Sequence, residues 1–168
     1  RGRELTCFSK ENTVLRASLD PLMVSVIPNA VVAENFCPLS STPRGPDQMP
    51  LSPADPRPAP TPIGPDDTIT IVVISRLFYN KGTDLLIAAI PRILALNPNT
   101  RFIIAGSGPK AIDLEQMLER NVLQDKVEML GSVRHEEVRD VMVRGHIYLH
   151  PSLTEAFGTV IVEAASCG

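Results

Sequence analysis

Short apolar runs alternate with helical patterns in the second half of the chain, and this alternation limits the possible folds more than any other feature. Thr68–Ser75 (TITIVVIS) is an almost unbroken β-branched run, as in a central strand covered on both faces. Three further strand patterns follow helical patterns, at Arg101–Ala105, Val127–Leu130 and Ile147–Leu149. This order indicates a parallel sheet with helical crossovers. We therefore predict an α/β fold with a doubly wound, Rossmann-like parallel sheet.

The helical patterns fix the expected order of the strands. They cover Thr83–Leu96, Lys110–Asn121, Glu136–Arg144 and a last helix that begins near Thr159. In the first helix Pro91 is an interior proline, which should kink it. A doubly wound sheet has the order 3-2-1-4, so its first and fourth strands are neighbours and ligands bind at their carboxyl ends. Residues that follow these two strands should therefore share one crevice.

The chain divides into three parts by composition. Residues 1–37 read as strand, helix and strand at Leu5–Ser9, Lys10–Leu19 and Met23–Ile27, and we interpret them as the remnant of a preceding N-terminal domain and its crossover. Residues 38–65 hold most of the chain's 16 prolines and predict a disordered insertion or linker. A docking peptide for an SH3-like partner is the alternative. Residues 66–168 form the Rossmann-like domain, which we expect to be truncated at its C-terminus.

Charge and cysteine content exclude several classes of function. The net charge of −3 gives no electrostatic reason to expect nucleic acid or an acidic membrane surface as a partner. The three cysteines are widely spaced and match neither a metal site nor a disulfide framework, which favours a reducing compartment. No apolar run reaches the ~18 residues that span a bilayer. A soluble globular domain is the expected class.

The segment Ser152–Gly168 (SLTEAFGTVIVEAASCG) reads as a polar loop that runs into the start of a helix. Helix starts present unpaired N–H groups to anions, and Glu155 and Glu163 stand eight positions apart across this turn. Carboxylates beside a phosphate site can accept hydrogen bonds from sugar hydroxyls, so the set suits a nucleotide sugar. The alternative is a buried helix start with one capping and one surface glutamate.

A second polar segment, Ser75-Arg76 to Lys81-Gly82, follows the first strand. Arg76 can bind two phosphate oxygens at once, Lys81 adds a point charge, and Gly82 allows a close turn into the next helix. Two cations at a helix start suit a diphosphate and could stabilise it as a leaving group without a metal. The alternative is a pair of solvated surface cations. The expected convergence of this segment with Glu155 and Glu163 favours the nucleotide site.

Other motifs carry less information. Gly106-Ser-Gly108 after the second strand lacks the third glycine of a dinucleotide fingerprint, so it could support a nucleotide site or form a plain tight turn. His135, His146 and His150 have no cysteine or carboxylate at ligand spacing, so we expect no metal site.

With these motifs, the chain resembles the retaining glycosyltransferases of family four, and within them those that begin glycosylphosphatidylinositol anchor synthesis. The resemblance implies the two-domain GT-B fold, of which this chain would be the incomplete C-terminal half, inactive by itself. The proline-rich block stands where the family has a shorter linker. The similar stretches are SKENTVLRA (Ser9–Ala17), VSVIPNAV (Val24–Val31), TIVVISRLFYNKGTDLL (Thr70–Leu86), GHIYLHPSLTEAF (Gly145–Phe157) and IVEAASCG (Ile161–Gly168).

The resemblance also implies roles at the matching positions. Glu155 would be the catalytic residue that meets the donor sugar, Arg76 and Lys81 would bind the diphosphate of UDP, and Glu163 would hold the ribose hydroxyls. The full donor-binding set comprises Arg76, Lys81, Gly82, Gly106, Gly108, Ala156, Phe157, Gly158 and Glu163.

For the parent protein, the resemblance implies transfer of N-acetylglucosamine from UDP-N-acetylglucosamine to phosphatidylinositol with retention of configuration. Neither a metal nor another cofactor would be needed. The setting would be the cytoplasmic face of the endoplasmic reticulum membrane, with other subunits of a membrane-bound complex as partners. A family-four enzyme with another donor or acceptor, and a non-catalytic nucleotide-sugar-binding module, are the alternatives.

Overall fold

The structure is a computed structural model that describes residues 14–18, 20, 22, 24, 31, 35–36, 38, 63–64, 67–155 and 157–168. Residues 14–17 are helical, within the helix predicted there. The strand predicted at Leu5–Ser9, all of the strand predicted at Met23–Ile27 except Val24, and nearly all of the proline-rich block lie outside the described residues. The account that follows concerns the sheet and its helices.

Four parallel strands form one sheet in the order β3-β2-β1-β4, which confirms the predicted fold and strand order. β1 pairs along its whole length with β2, from Ile69 opposite Thr100 to Ile74 opposite Ala105. It pairs with β4 at only two positions. The strands are β1 (Ile69–Ile74), β2 (Thr100–Ala105), β3 (Val127–Gly131) and β4 (Ile147–Tyr148).

Each strand connects to the next through a helix. The helices are α1 (Thr83–Leu96), α2 (Ala111–Asn121), α3 (His135–Met142) and α4 (Thr159–Ser166), with a 3-10 turn at Tyr79–Lys81 before α1. In α1 the predicted inner residues Leu86, Ile90 and Leu94 are buried, and Ile93 packs at the margin of the same core. Helical spacing of apolar residues thus identified the buried face of this helix correctly.

The sheet is buried on both faces. Ile71 and Val73 of β1 point to a core formed with α1 and α2, whereas Val72 and Ile74 point to a second core formed with α3. Because side chains alternate between the faces of a strand, a strand covered on both sides needs apolar residues at every position. This explains the unbroken β-branched run in β1.

One strained residue gives a stability prediction. Val122 ends α2 in the left-handed conformation, with φ 53°, and its side chain is 82% exposed. A β-branched residue is disfavoured there, whereas glycine is the usual residue at this position of a helix terminus. Val122→Gly is expected to stabilise the fold by about 0.5–1 kcal/mol, measured from urea unfolding. Val122→Ala, which keeps a Cβ, should gain less, and a lower midpoint for the glycine variant would contradict the strain.

Candidate functional site

A cleft of about 330 Å³ lies at the carboxyl ends of β1 and β4. The two polar segments that the sequence predicts to converge both contribute to it, one after each strand. Its lining residues are Ile74, Ser75, Arg76, Lys81, His150, Glu155, Phe157, Gly158, Thr159 and Val160. The predicted crevice at the point where the strand order reverses is therefore present.

The backbone next to Arg76 is fixed by hydrogen bonds to the loop after β2. Leu77 is fully buried, its N–H donates to the Ser107 carbonyl at 2.9 Å, and its carbonyl accepts from the Lys110 N–H at 3.1 Å. The Arg76 side chain is exposed, with its guanidinium 5.5 Å from the centre of the Phe78 ring. The loop thus fixes the position of Arg76 and leaves its cation facing solvent at the cleft.

The loops after β1 and β4 approach each other closely at Gly82. A Cβ on Gly82, whose φ is 73°, would lie 2.0 Å from the Pro151 carbonyl oxygen, so no other residue fits here. Nearby, the Asn80 carbonyl accepts hydrogen bonds from the Leu153 N–H at 3.1 Å and the Ser152 hydroxyl at 3.3 Å. This junction, residues 79–82 against 151–153, joins the two sides of the cleft.

The glycines of the second loop support the cleft from behind and do not line it. Ideal Cβ atoms on Gly106 and Gly108 would lie 1.8 Å and 2.3 Å from the carbonyl oxygens of Ser75 and Leu77. Their small size lets the loop after β2 pack directly against the segment that carries Arg76. The two glycines thus support the segment that carries Arg76, and their part in donor binding stays a prediction.

Lys81 and Glu155 form an ion pair across the cleft. The Lys81 ammonium donates to Glu155 Oε1 at 2.5 Å, and the two side chains are 17% and 27% exposed. Burial acts to raise the pKa of Glu155, but hydrogen bonds from Lys81 and Ser152 and the charge of Lys81 outweigh it, so this pKa lies below its ordinary value. Glu155 is therefore an ionised hydrogen-bond acceptor at neutral pH.

The ion pair gives a titration prediction. Lys81→Met removes the hydrogen bond and charge that hold the pKa of Glu155 down and leaves burial, which acts in the opposite direction. The pKa of Glu155 should therefore rise, as measured by NMR titration of its carboxyl carbon. An unchanged pKa would show that Ser152 and His150 alone keep the group ionised. Lys110→Met, outside the cleft, is the matched control.

Two polar residues of the cleft, Ser75 and His150, and Tyr148, which contacts His150, were not assigned to the site from the sequence. His150 Nε2 lies 3.2 Å from Glu155 Oε1, and its Nδ1 lies 3.3 Å from the Tyr148 hydroxyl, which donates to the Ile74 carbonyl at 3.2 Å. The Ser75 hydroxyl is buried and has no hydrogen-bond partner among the described residues. The position of His150 directly after a strand that ends at the crevice was the one signal that could have identified it.

Glu163 does not line the cleft. It lies in α4 and is only 6% exposed, so the alternative of a surface glutamate is wrong. Within the described ranges no group hydrogen-bonds to its carboxylate. Burial and the charges of Glu163 and Glu155 raise the pKa of the Tyr148 hydroxyl, which stays a protonated donor. The Glu163 carboxylate, which receives no hydrogen bond from the described residues, is available to hydroxyl groups of a ligand.

Of the residues around the start of α4, Phe157 and Gly158 line the cleft, and Gly158 is the N-terminal cap of the helix. Glu155 does not cap α4, so that part of the alternative is also wrong. Ala156 lies outside the described residues. Across the described ranges, no three or more His, Cys, Asp and Glu side chains are grouped to hold a metal ion, and no helix is long and apolar enough to cross a membrane.

Curated relatives match almost the whole chain. It is 66% identical over 163 residues to the phosphatidylinositol N-acetylglucosaminyltransferase gpi3 subunit of Schizosaccharomyces pombe, covering 97% of this chain and 31% of the relative. A human relative, also named as one of the subunits of phosphatidylinositol N-acetylglucosaminyltransferase, is 50% identical over 95% of this chain and 28% of its own length. The chain thus spans about a third of the length of the curated relatives it matches.

A solved structure supports the fold. The Anabaena protein HepE, crystallised with UDP and glucose, aligns with 94% of this chain and 39% of its own at a TM-score of 0.64 and 21% identity. That likeness shows the fold, a Rossmann-like half of a GT-B glycosyltransferase. The sequence pattern described as "Glycosyl transferases group 1" matches residues 61–168, well over half of the chain. The chain therefore belongs to the glycosyl transferases group 1 family.

Proposed function

We propose that the full-length protein containing this chain transfers N-acetylglucosamine from UDP-N-acetylglucosamine to phosphatidylinositol with retention, the first step of glycosylphosphatidylinositol anchor synthesis. The observation that carries the proposal is the cleft in which Arg76 and Lys81 face Glu155 at the carboxyl ends of β1 and β4. The names of the Schizosaccharomyces pombe and human relatives support the choice of sugar and acceptor.

The roles proposed for the site residues are those that the family resemblance implies. Arg76 and Lys81 bind the diphosphate and stabilise it as the leaving group, because two cations neutralise the charge that develops when the sugar departs. Glu155 acts as the catalytic residue that contacts the sugar, and Glu163 accepts hydrogen bonds from the ribose hydroxyls. Backbone N–H groups around Ala156–Gly158, at the start of α4, help Glu155 to bind the donor. Cations in this position remove the need for a metal ion or other cofactor.

The setting is also part of the proposal. The acceptor is a membrane lipid, and the relatives are named as subunits, so we infer that the full-length protein works with other subunits of a membrane-bound complex. We place this complex at the cytoplasmic face of the endoplasmic reticulum membrane. The chain itself supplies the half that binds the nucleotide sugar.

Transfer of labelled sugar tests the proposal directly. Membranes from cells expressing the full-length protein and its partner subunits are supplied with UDP-N-acetylglucosamine labelled in the sugar, and label is followed into lipid. We expect a labelled lipid that phosphatidylinositol-specific phospholipase cleaves. Arg76→Ala should lower its formation by about a hundredfold or more, because a bidentate, charged contact to the diphosphate is lost.

The controls separate the alternatives. Arg92→Ala removes an exposed arginine of α1 outside the cleft and should leave labelling unchanged. Label from another nucleotide sugar, but not from this one, would indicate a different donor. Full labelling in the Arg76→Ala and Glu155→Ala variants would contradict the catalytic reading and favour a non-catalytic binding module.

A further inference from the structure

A chain of three side chains connects the sheet to Glu155. The Tyr148 hydroxyl lies 3.2 Å from the Ile74 carbonyl oxygen and 3.3 Å from His150 Nδ1, and His150 Nε2 lies 3.2 Å from Glu155 Oε1. The imidazole is only 16% exposed, so the chain runs through a largely buried ring. It links a fixed backbone atom of β1 to the carboxylate that faces the cleft.

The neighbours of the His150 ring determine which of its two nitrogens carries a proton. With the only imidazole proton on Nδ1, a lone pair on Nε2 would face the carboxylate of Glu155 and repel it. With a proton on Nε2 alone, the ring donates to Glu155, and Nδ1 accepts the single proton of the Tyr148 hydroxyl, which is then not donated to the Ile74 carbonyl. The imidazolium form donates to both Glu155 and Tyr148, which then keeps its bond to Ile74. In both protonation forms that avoid this repulsion, the Nε2–H of His150 is directed at Glu155.

Lys81, the other strong partner of Glu155, has a competing role. On the proposed function its ammonium binds the diphosphate, and an ammonium drawn to a doubly charged group is withdrawn from Glu155. The Ser152 hydroxyl has backbone acceptors of its own in Asn80 and Thr154, at 3.3 Å and 3.1 Å. Lys81 and Ser152 thus each have an acceptor that competes with Glu155. Among the described residues, His150 Nε2 has no acceptor other than Glu155.

We propose that His150 is a positioning residue: its Nε2–H holds the Glu155 carboxylate toward the donor sugar once the diphosphate has drawn Lys81 away. This inference rests on the proposed function and adds to it a residue that acts through Glu155. Tyr148, anchored on β1, sets the orientation of the ring. Because His150 acts through Glu155 and does not contact the nucleotide, its effect is separable from that of Arg76.

Two isosteric substitutions test the role, in membranes containing the full-length protein and its partners. The amide NH₂ of glutamine reaches the position of Nε2 and can donate to Glu155, whereas that of asparagine reaches only the position of Nδ1. His150→Asn should lower kcat by about tenfold to a hundredfold, as for loss of one charge-assisted hydrogen bond. His150→Gln should retain roughly a third or more of kcat. The inhibition constant of UDP, which reports the nucleotide site alone, should change less than about twofold in both.

Several outcomes would overturn the proposal. Equal losses of kcat in the two variants, or a rise in the UDP inhibition constant parallel to the fall in kcat, would indicate a structural role. Full activity in His150→Asn would exclude any role. If His150→Asn does not accumulate, Tyr148→Phe tests the other end of the chain, with an expected fall of about threefold in kcat and an unchanged UDP constant. An unaltered kcat there would also overturn the proposal.

Two control variants distinguish failure of the positioning role of His150 from failure of the proposed function. Glu155→Gln and Arg76→Ala are measured in the same membranes. If these two lose transfer and His150→Asn does not, the proposed function stands and only the positioning role is wrong. If these two retain transfer, the proposed function fails, and the role of His150 with it.

Discussion

Replacement of Glu163 by glutamine is expected to lower sugar transfer by about a hundredfold. Glu163 is 6% exposed, and no hydrogen bond from the described residues reaches its carboxylate. On the proposed function, the carboxylate is therefore available to accept hydrogen bonds from the ribose hydroxyls. A neutral amide of the same shape weakens these contacts, because a hydrogen bond to a charged acceptor is worth about 1.5–3 kcal/mol.

A parallel measurement of stability separates a ligand-binding role of Glu163 from a structural one. Transfer is measured as kcat/KM for UDP-N-acetylglucosamine with the full-length protein, and stability as the midpoint of thermal unfolding. Glu115→Gln removes the same charge from an exposed position of α2 and should change neither quantity. A lower midpoint for Glu163→Gln would mean that the carboxylate stabilises the fold, and it would contradict the assignment to a ligand.

The largest effect on stability is expected from Gly106→Ala. The new Cβ would lie 1.8 Å from the Ser75 carbonyl oxygen, and the φ of 146° is one that alanine avoids. Because this clash is with a backbone atom, it can be relieved only if the loop after β2 moves away from β1. We expect a loss of about 4 kcal/mol, because overpacking and backbone strain add at one site.

Gly131→Ala is the matched control for this prediction. Gly131 also has a positive φ, 68°, but its Cβ would meet nothing within 4 Å. It should therefore lose only about 1–2 kcal/mol of conformational energy, and the difference between the two variants isolates the steric contact. Urea unfolding of both variants measures it. Equal midpoints would show that the loop after β2 yields without cost.

The fold could be predicted from the sequence because its signals are local. β-branched runs and helical spacing identify buried strands and helices one element at a time, and the handedness of crossovers then gives the order. The errors are at the ends of elements. β4 ends at Tyr148 and not at Leu149, although the Leu149 N–H still donates to the Val72 carbonyl, because the chain then turns at Pro151. α3 ends at Met142, two residues before the predicted end.

The site could be predicted only in outline. Residues after β1 and β4 converge because of strand order alone, which requires no knowledge of side-chain rotamers. The ion pair of Lys81 with Glu155 and the contact of His150 with both neighbours depend on the path of the loop after β4, which leaves no periodic signal. In α4 the pattern is reversed: Ile161 and Val162 are 44% and 41% exposed, whereas Glu163 is buried. Functional sites are where such local rules are expected to fail.

The anchoring of Leu77 has a mechanical consequence. Arg76 belongs to a rigid body formed by the ends of β1 and β2, since Leu77 is bonded on both sides to the loop after β2. Lys81 is held by a second set of bonds, since the turn before α1 is joined through Asn80 to residues 152 and 153. Backbone hydrogen bonds thus hold the two cations of the cleft to different loops, Arg76 to the loop after β2 and Lys81 to the loop after β4. The sheet and its loops therefore set the distance between the two cations before any ligand binds.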